Sequence, residues 1–190
     1  MRKLKLQMQM SINGFVGGPN GELDWATWDW GDDIKNYVTE LTNSIDSILL
    51  GRKLAEGFIP HWANVYADKG HPENAAGKIY TETQKYVFSK TLTKSLWDNT
   101  TVLSGDLSKE VIKIKKQQGK DVIAYGGASF VSSLIKEGLI DEYNLFINPA
   151  AIGKGKTIFA ELIAKQNLKL VDSIAFDCGI NLLCYTVNDN

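Results

Sequence analysis

A chain of 190 residues with 44% hydrophobic and 23% charged side chains has an ordinary globular composition and enough length to bury one core. Its 21 Lys and Arg against 22 Asp and Glu leave a net charge of −1, so nucleic acid and anionic membrane have no electrostatic claim on it, and any bound anion must be held by local arrangement. The start, Met1-Arg2-Lys3-Leu4-Lys5-Leu6, lacks a secretory leader's apolar run, no stretch nears the roughly 18 apolar residues of a membrane span, and Cys178 and Cys184 read as free thiols of a reducing cytoplasm.

Residues 3–10 alternate, with Leu4, Leu6, Met8 and Met10 against Lys3, Lys5, Gln7 and Gln9, which predicts a strand with one buried face. A Gly-rich loop from Asn13 to Gly21 follows, then a segment carrying Trp25, Trp28 and Trp30. Asp32-Asp33 opens a helix whose apolar face holds Ile34, Tyr37, Val38 and Leu41. Ser47 to Leu50 is a short apolar strand ending in Gly51-Arg52-Lys53. Residues 60–78, with their Pro, Gly, His and Asn, read as a loop into a short helix, with His61 and His71 on the surface. Tyr86-Val87-Phe88 and Thr101-Val102-Leu103 are further strands, and a Lys-rich helix with Val111, Ile112 and Ile114 ends at Gly119.

Asp121 to Tyr125 is then a buried strand, Gly126-Gly127 a turn, and Ala128 to Glu137 a helix stopped by Gly138. Tyr143 to Ile147 is a strand ended by Pro149. Leu168 to Phe176 and Asn181 to Val187 have no helix between them and are expected to pair antiparallel. Short apolar strands alternating with helices predict a mostly parallel sheet covered on both faces. The fold class is therefore α/β: one three-layer domain over 1–190, with antiparallel C-terminal strands.

The strongest local signal is the strand–Gly126-Gly127–helix passage. A turn without Cβ atoms lets backbone N–H groups approach a ligand, and the helix that follows aims its free N–H groups and positive dipole end at the same place. Ala128 and Ser129 open that helix, and Ser129 adds a hydroxyl. A tight strand-to-helix connection is the competing explanation, and no G-x-G-x-x-G is present. Gly51-Arg52-Lys53 repeats the pattern with two cations at a helix start, where cations are disfavoured unless an anion offsets them. Ser89-Lys90 closes a third strand. Three strand ends offering phosphate-type groups fit a ligand with several phosphates lying across the edge of a parallel sheet. Gly155-Lys156-Thr157 imitates the tail of a P-loop, but Ala150 stands where that motif needs its first glycine.

The motifs Met10-Ser11-Ile12-Asn13-Gly14-Phe15, Leu23-Asp24-Trp25, Gly51-Arg52-Lys53, Val87-Phe88-Ser89, Gly126-Gly127, Gly138-Leu139-Ile140-Asp141-Glu142 and Pro149 to Phe159 span nearly the whole chain. Together they resemble the reductase domain of the riboflavin-biosynthesis deaminase–reductase, the RibD C-terminal family, within the dihydrofolate-reductase-like fold. No C-x-x-C is present, so the resemblance is to the reductase half and no metal site is expected. The resemblance implies NADPH as hydride donor and a homodimer. It assigns Gly51, Arg52 and Lys53 to the cofactor's adenosine-side phosphates, and Ser89 and Lys90 to the ribose 2′-phosphate. Gly126, Gly127, Ala128 and Ser129 match the pyrophosphate turn, and the loop from Ser11 through Asn13 to Gly18 the segment that covers the nicotinamide. Asn13 stands where many relatives carry Asp, and Lys53 where a hydroxyl side chain is usual.

Reduction of an imine or carbonyl also needs a proton source. Asp24, Asp32 and Glu142 are the candidates; Asp24 is favoured because it lies in the loop with Trp25, whereas acids at a helix start such as Asp32 and Asp33 are favourable for the helix alone. Trp25, Trp28, Trp30, Phe58 and Trp62 either sandwich a planar pyrimidine or pterin or form a dimer interface. The expected function is an NADPH-dependent, cytoplasmic reductase of a small heterocycle; the alternative is a nucleotide-binding protein without turnover.

Overall fold

In the computed structural model, which describes residues 1–188, the elements run β1 (Leu4–Ser11), α1 (Asp32–Asn43), β2 (Ile45–Gly51), α2 (Arg52–Ala67), α3 (Asn74–Glu82), β3 (Gln84–Phe88) and β4 (Thr100–Leu103). They continue α4 (Leu107–Lys115), β5 (Asp121–Ala124), α5 (Ala128–Lys136), β6 (Glu142–Asn148), β7 (Leu168–Ala175) and β8 (Asn181–Val187). All eight strands form one sheet in the order β4-β3-β2-β5-β1-β6-β8-β7. The first six are parallel; β8 runs antiparallel to β6, and β7 to β8. The α/β architecture expected from the alternating elements is the one observed.

Helices cover both faces. Leu4, Leu6, Met8 and Met10 of β1 pack with Val111 and Ile114 of α4 and with Val131, Leu134 and Ile135 of α5. The opposite face carries two separate clusters. In one, Ile48, Leu50, Val87 and Ile123 meet Leu41 of α1, Ala55 and Ile59 of α2 and Tyr80 of α3. In the other, Phe146 and Leu182 meet Ile34 of α1 and Phe176. Ile48, Leu49 and Leu50 have no exposed surface, as a central parallel strand requires.

Two expectations are corrected. Residues 60–78 are not a loop into a short helix. The helix α2 runs unbroken through Pro60 to Ala67, and α3 starts at Asn74. Pro60 is on the exposed side, and burial of Ala55, Ile59 and Val65 on the other side outweighs the backbone bond it removes. Asn74 closes the helix by donating to the carbonyls of Val65, Tyr66 and Asp68 at 2.8–3.1 Å. Gly77 lets α3 touch the backbone of Tyr66, where a Cβ would come within 2.8 Å of its nitrogen. Second, β1 does not have a single buried face. Gln7 is only 9% exposed and Lys5 and Gln9 are half-buried, because β1 lies in the interior of the sheet with α1 over its second face.

Candidate functional site

Six parallel strands put their C-terminal ends on one edge, and β3, β2, β5 and β1 are consecutive neighbours. That edge gathers Ser89, Gly51, the Gly126-Gly127 turn and Ser11, residues far apart in sequence. Open α/β sheets bind ligands along this edge.

At the Gly126-Gly127 turn the peptide bond is cis, and Gly126 has φ of +125°, a conformation that favours glycine. Gly127 is exposed and is the N-cap of α5, with no side chain capping the helix. A Cβ built on Gly127 would meet nothing within 4 Å. The open space at an uncapped helix start is what a phosphate oxygen needs, so this turn fits an anionic cofactor. Ser129, also exposed, lies in the first turn of α5.

Gly51 differs. It too is an N-cap without a side-chain bond, but its Cβ would fall 2.9 Å from Cβ of Phe130. Close packing of α5 on β2 therefore accounts for this glycine without a ligand. Arg52 is held by Glu56 at 2.5 Å across one helical turn, and Lys53 is exposed. Ser89 is buried and its hydroxyl accepts from the N–H groups of Thr91 and Leu92, at 3.1 and 2.8 Å, which shapes the turn after β3 and leaves Lys90 exposed.

Ser11 and Asn13 tie two loops together. The Ser11 hydroxyl donates to Asn13 Oδ1 at 2.9 Å and accepts from the Phe15 N–H at 3.0 Å. The Asn13 carboxamide donates to the Ile152 carbonyl at 2.8 Å and accepts from the Ile152 N–H at 3.2 Å. A carboxylate could not make the first of these bonds, which gives the Asn at this position a structural reason. The same loops meet again where Gly17 bridges Lys156, with Gly155 pressed against the Gly17 carbonyl.

The acids separate. Asp24 is exposed in the loop after β1, three residues before Thr27, whose N–H is fixed by Asn148 Oδ1 at 2.8 Å. Glu142 begins β6 beside Lys5, at the opposite edge of the sheet, with Lys3 at 3.8 Å and Asn144 Nδ2 at 3.4 Å. Asp33 accepts from the N–H groups of Asp177 and Ile34 at 2.8 Å, and those bonds, the Asp177 one foremost, hold its carboxyl below the usual range. It anchors α1 to the turn between β7 and β8. Asp32 sits exposed at the start of α1.

Three of the aromatic residues expected to flank a cleft, Phe58, Trp62 and Trp30, are partly buried and pack against the core instead. Phe58 stacks on Tyr125 at 5.5 Å, Trp62 meets Tyr80 at 4.4 Å, and Trp30 stacks on Phe146 at 6.5 Å. Trp28 is 56% exposed. A polar depression of about 340 Å³ lies at the other edge, lined by Met1, Arg2, Lys115 and Gly119 among others. Its two buried cations are already matched, Arg2 by Asp46 and Lys115 by Asp141.

Asn148 is the residue sequence reading missed. Fully buried at the end of β6, it donates to Gln9 Oε1 at 2.8 Å and to the Phe146 carbonyl at 3.1 Å while holding Thr27. The signal was available: Asn144 and Asn148, poor strand formers, recur on one face of an otherwise apolar strand.

Comparison with known proteins places the chain in a family. The model of the RibD C-terminal domain family matches residues 2–182. The chain belongs to that family. It is 35% identical over 190 residues to the uncharacterised protein YyaP of Bacillus subtilis (strain 168), covering 98% of this chain and 96% of that one. A protein provisionally assigned to riboflavin biosynthesis from Shewanella sp. PV-4 superposes with a TM-score of 0.73 at 19% identity, over 99% of both chains. The diaminohydroxyphosphoribosylaminopyrimidine deaminase/5-amino-6-(5-phosphoribosylamino)uracil reductase of Thermotoga maritima gives 0.68 at 16% identity, covering 98% of this chain and 57% of that one. The family is thus related to the riboflavin-biosynthesis reductases, and the two structural likenesses speak to fold. No helix among the described residues is long and apolar enough to cross a membrane.

Proposed function

We propose that this member of the RibD C-terminal family is an NADPH-dependent reductase that transfers hydride to a small heterocycle, a pyrimidine or a pterin, in the cytoplasm and as a homodimer. The observation that carries the reading is the Gly127 turn. It is exposed, heads an uncapped helix and is open where a Cβ would stand, on the same sheet edge as Gly51, Ser89 and Ser11. Backbone N–H groups of Ala128 and Ser129 would hold the pyrophosphate, and Arg52, Lys53 and Lys90 supply cations for the remaining phosphates. The bound cofactor supplies the hydride; the chain supplies placement, exclusion of water and a proton. Asp24 is the acid put forward for that proton. The loop tied down by Ser11 and Asn13 would cover the reacting atoms.

The test is a titration of NADPH against NADH, followed by loss of the reduced nicotinamide absorbance on adding a pyrimidine-ribosyl phosphate or dihydrofolate. NADPH is expected to bind at least tenfold more tightly. Equal affinity would remove the roles given to Arg52, Lys53 and Lys90. Tight NADPH binding with no oxidation by any heterocycle would make the protein a nucleotide binder.

A further inference from the structure

The sequence holds the step Asn-Gly twice, at Asn13-Gly14 and at Asn20-Gly21, and both fall in the segment between β1 and α1. A glycine after asparagine carries no side chain to shield its nitrogen, which can therefore reach the carboxamide carbon behind it. Asparagine is a thermolabile residue for this reason. The surroundings of the two steps differ.

Asn13 is restrained from outside its own turn. Its carboxamide accepts from Ser11 Oγ and the Ile152 N–H at 2.9 and 3.2 Å and donates to the Ile152 carbonyl at 2.8 Å. Swinging it onto the Gly14 nitrogen would break all three bonds. Asn20 is exposed, and its side chain has one hydrogen-bond partner among the described residues, Glu22 Oε1 at 2.6 Å, two positions along the same turn. The glycine N–H groups are held alike, Gly14 by the Ser11 carbonyl at 2.9 Å and Gly21 by that of Gly18 at 3.0 Å. Charge separates them. Gly14 has nothing within 4 Å of the place of a Cβ beyond its chain neighbours, whereas at Gly21 the Lys156 ammonium stands 3.7 Å away. A cation there favours the negative charge that builds up when the Gly21 nitrogen sheds its proton and attacks.

Glu22 is the keystone of that turn. Its carboxylate also accepts from the Asn20 N–H at 2.9 Å and occupies the place of a Gly18 Cβ. Its backbone carbonyl accepts from the Gly18 N–H at 2.9 Å and from Trp25 Nε1 at 3.1 Å. Gly17, next in line, bridges Lys156. The Asn20–Glu22 contact thus closes the turn from which Asp24 and Trp25 lead away.

We propose that Asn20-Gly21 is a site of self-modification that unfastens this turn. The Gly21 nitrogen gives its proton to hydroxide and bonds to Asn20 Cγ. The Cγ–Nδ2 bond breaks, and ammonia leaves with a proton from water, which closes a succinimide ring. Water then opens the ring at one of its two carbonyls, giving aspartate or, through the backbone carbonyl, isoaspartate. One water is consumed and one ammonia released, with no oxidation. Either product sets a second carboxylate against Glu22 where a carboxamide had donated a hydrogen bond, and like charges so close repel. The turn opens and the Asp24 segment is released. The loss of turnover that follows rests on the reductase reading; the modification itself does not.

The experiment ages the intact protein at 37 °C, at pH 6 and pH 8.5, and follows both Asn-Gly peptides by mass spectrometry with enzymatic isoaspartate labelling. Asn20 is expected to convert at least fivefold faster than Asn13, faster at pH 8.5 than at pH 6, and at least twofold more slowly in Lys156→Gln. Amide hydrogen exchange over residues 17–25 should quicken at least fivefold in the aged wild type and in fresh Asn20→Asp. It should stay unchanged in aged Asn20→Gln, whose longer side chain closes the ring poorly. Conversion of Asn13 as fast as Asn20, or an undiminished rate in Lys156→Gln, would overturn the proposal. So would unchanged exchange in both the converted protein and Asn20→Asp. Turnover followed in parallel separates the two readings: conversion and quickened exchange in a protein that never oxidises NADPH defeat the reductase reading and leave the modification standing.

Discussion

Two glycines with the same apparent role have different physical reasons to be glycine. Gly51 and Gly127 both precede a helix, both lack a side-chain cap, and both follow a parallel strand. At Gly51 a Cβ would press on Phe130 at 2.9 Å; at Gly127 it would enter open space. Gly51→Ala is therefore expected to lower stability by about 1–3 kcal/mol, the range for forcing extra atoms into a packed site, and to be seen as a lower urea midpoint. Gly127→Val should leave the midpoint within about 0.5 kcal/mol, as substitutions outside the core do, yet abolish measurable NADPH binding, since its branched side chain fills the space kept for phosphate. If Gly127→Val binds NADPH as wild type does, the pyrophosphate does not sit there. The sequence could name both turns but could not tell them apart, because what decides is the distance to α5, a contact between residues nearly eighty positions apart. For the same reason Ser89 and Ser11 read as ligand groups, whereas their hydroxyls already serve neighbouring N–H groups.

At the scale of the element, Lys85 shows how a helix end can be closed from a strand. It is 1% exposed, and its ammonium donates to the carbonyls of Tyr80, Thr81 and Thr83 at 2.6–3.0 Å, groups that the last turn of α3 leaves unpaired. Burial pulls its pKa down to about 8. The folded-state value is thus below the unfolded one, so the folded chain loses this proton first. Stability relative to a Lys85→Met variant should accordingly rise as pH goes from about 8 toward the unfolded value near 10.4. Urea midpoints of both proteins at pH 7 and pH 10 test this; an unchanged difference would mean that the three carbonyls hold the proton against the cost of burial. Boundaries were legible where a period ran uninterrupted, as in α1 and α5, and illegible around α2. Pro60 and the polar residues after it carry a breaker's composition, and only packing on Tyr80 and closure by Asn74 make them helical. The alternation of β1 was legible too, but its interior place in the sheet was not, since that depends on pairing with β5 and β6.

Over the whole molecule, parallel strands make position along a strand equivalent to distance from the site. The motifs of β1, β2, β3 and β5 converge because each lies at a C-terminal end, and the order β3-β2-β5-β1 makes them contiguous. Glu142 and Asn148 are the two ends of β6, about 20 Å apart at the usual rise per residue. Both are prominent in sequence or packing, yet only Asn148 stands next to Ser11. Glu142 lies with Lys3 and Asn144 and has a structural part in holding the N-terminal edge. Glu142→Gln is therefore expected to leave kcat and KM within twofold of wild type. Asp24→Asn should lower kcat about a hundredfold or more, the usual loss for a proton donor, with NADPH affinity unchanged. Steady-state assays of the two variants, with kcat followed against pH, separate the assignments: a large loss in Glu142→Gln alone would require the chemistry to lie at the edge opposite the Gly127 turn. Equal, small effects in both would make bound solvent the donor and leave only placement to the protein.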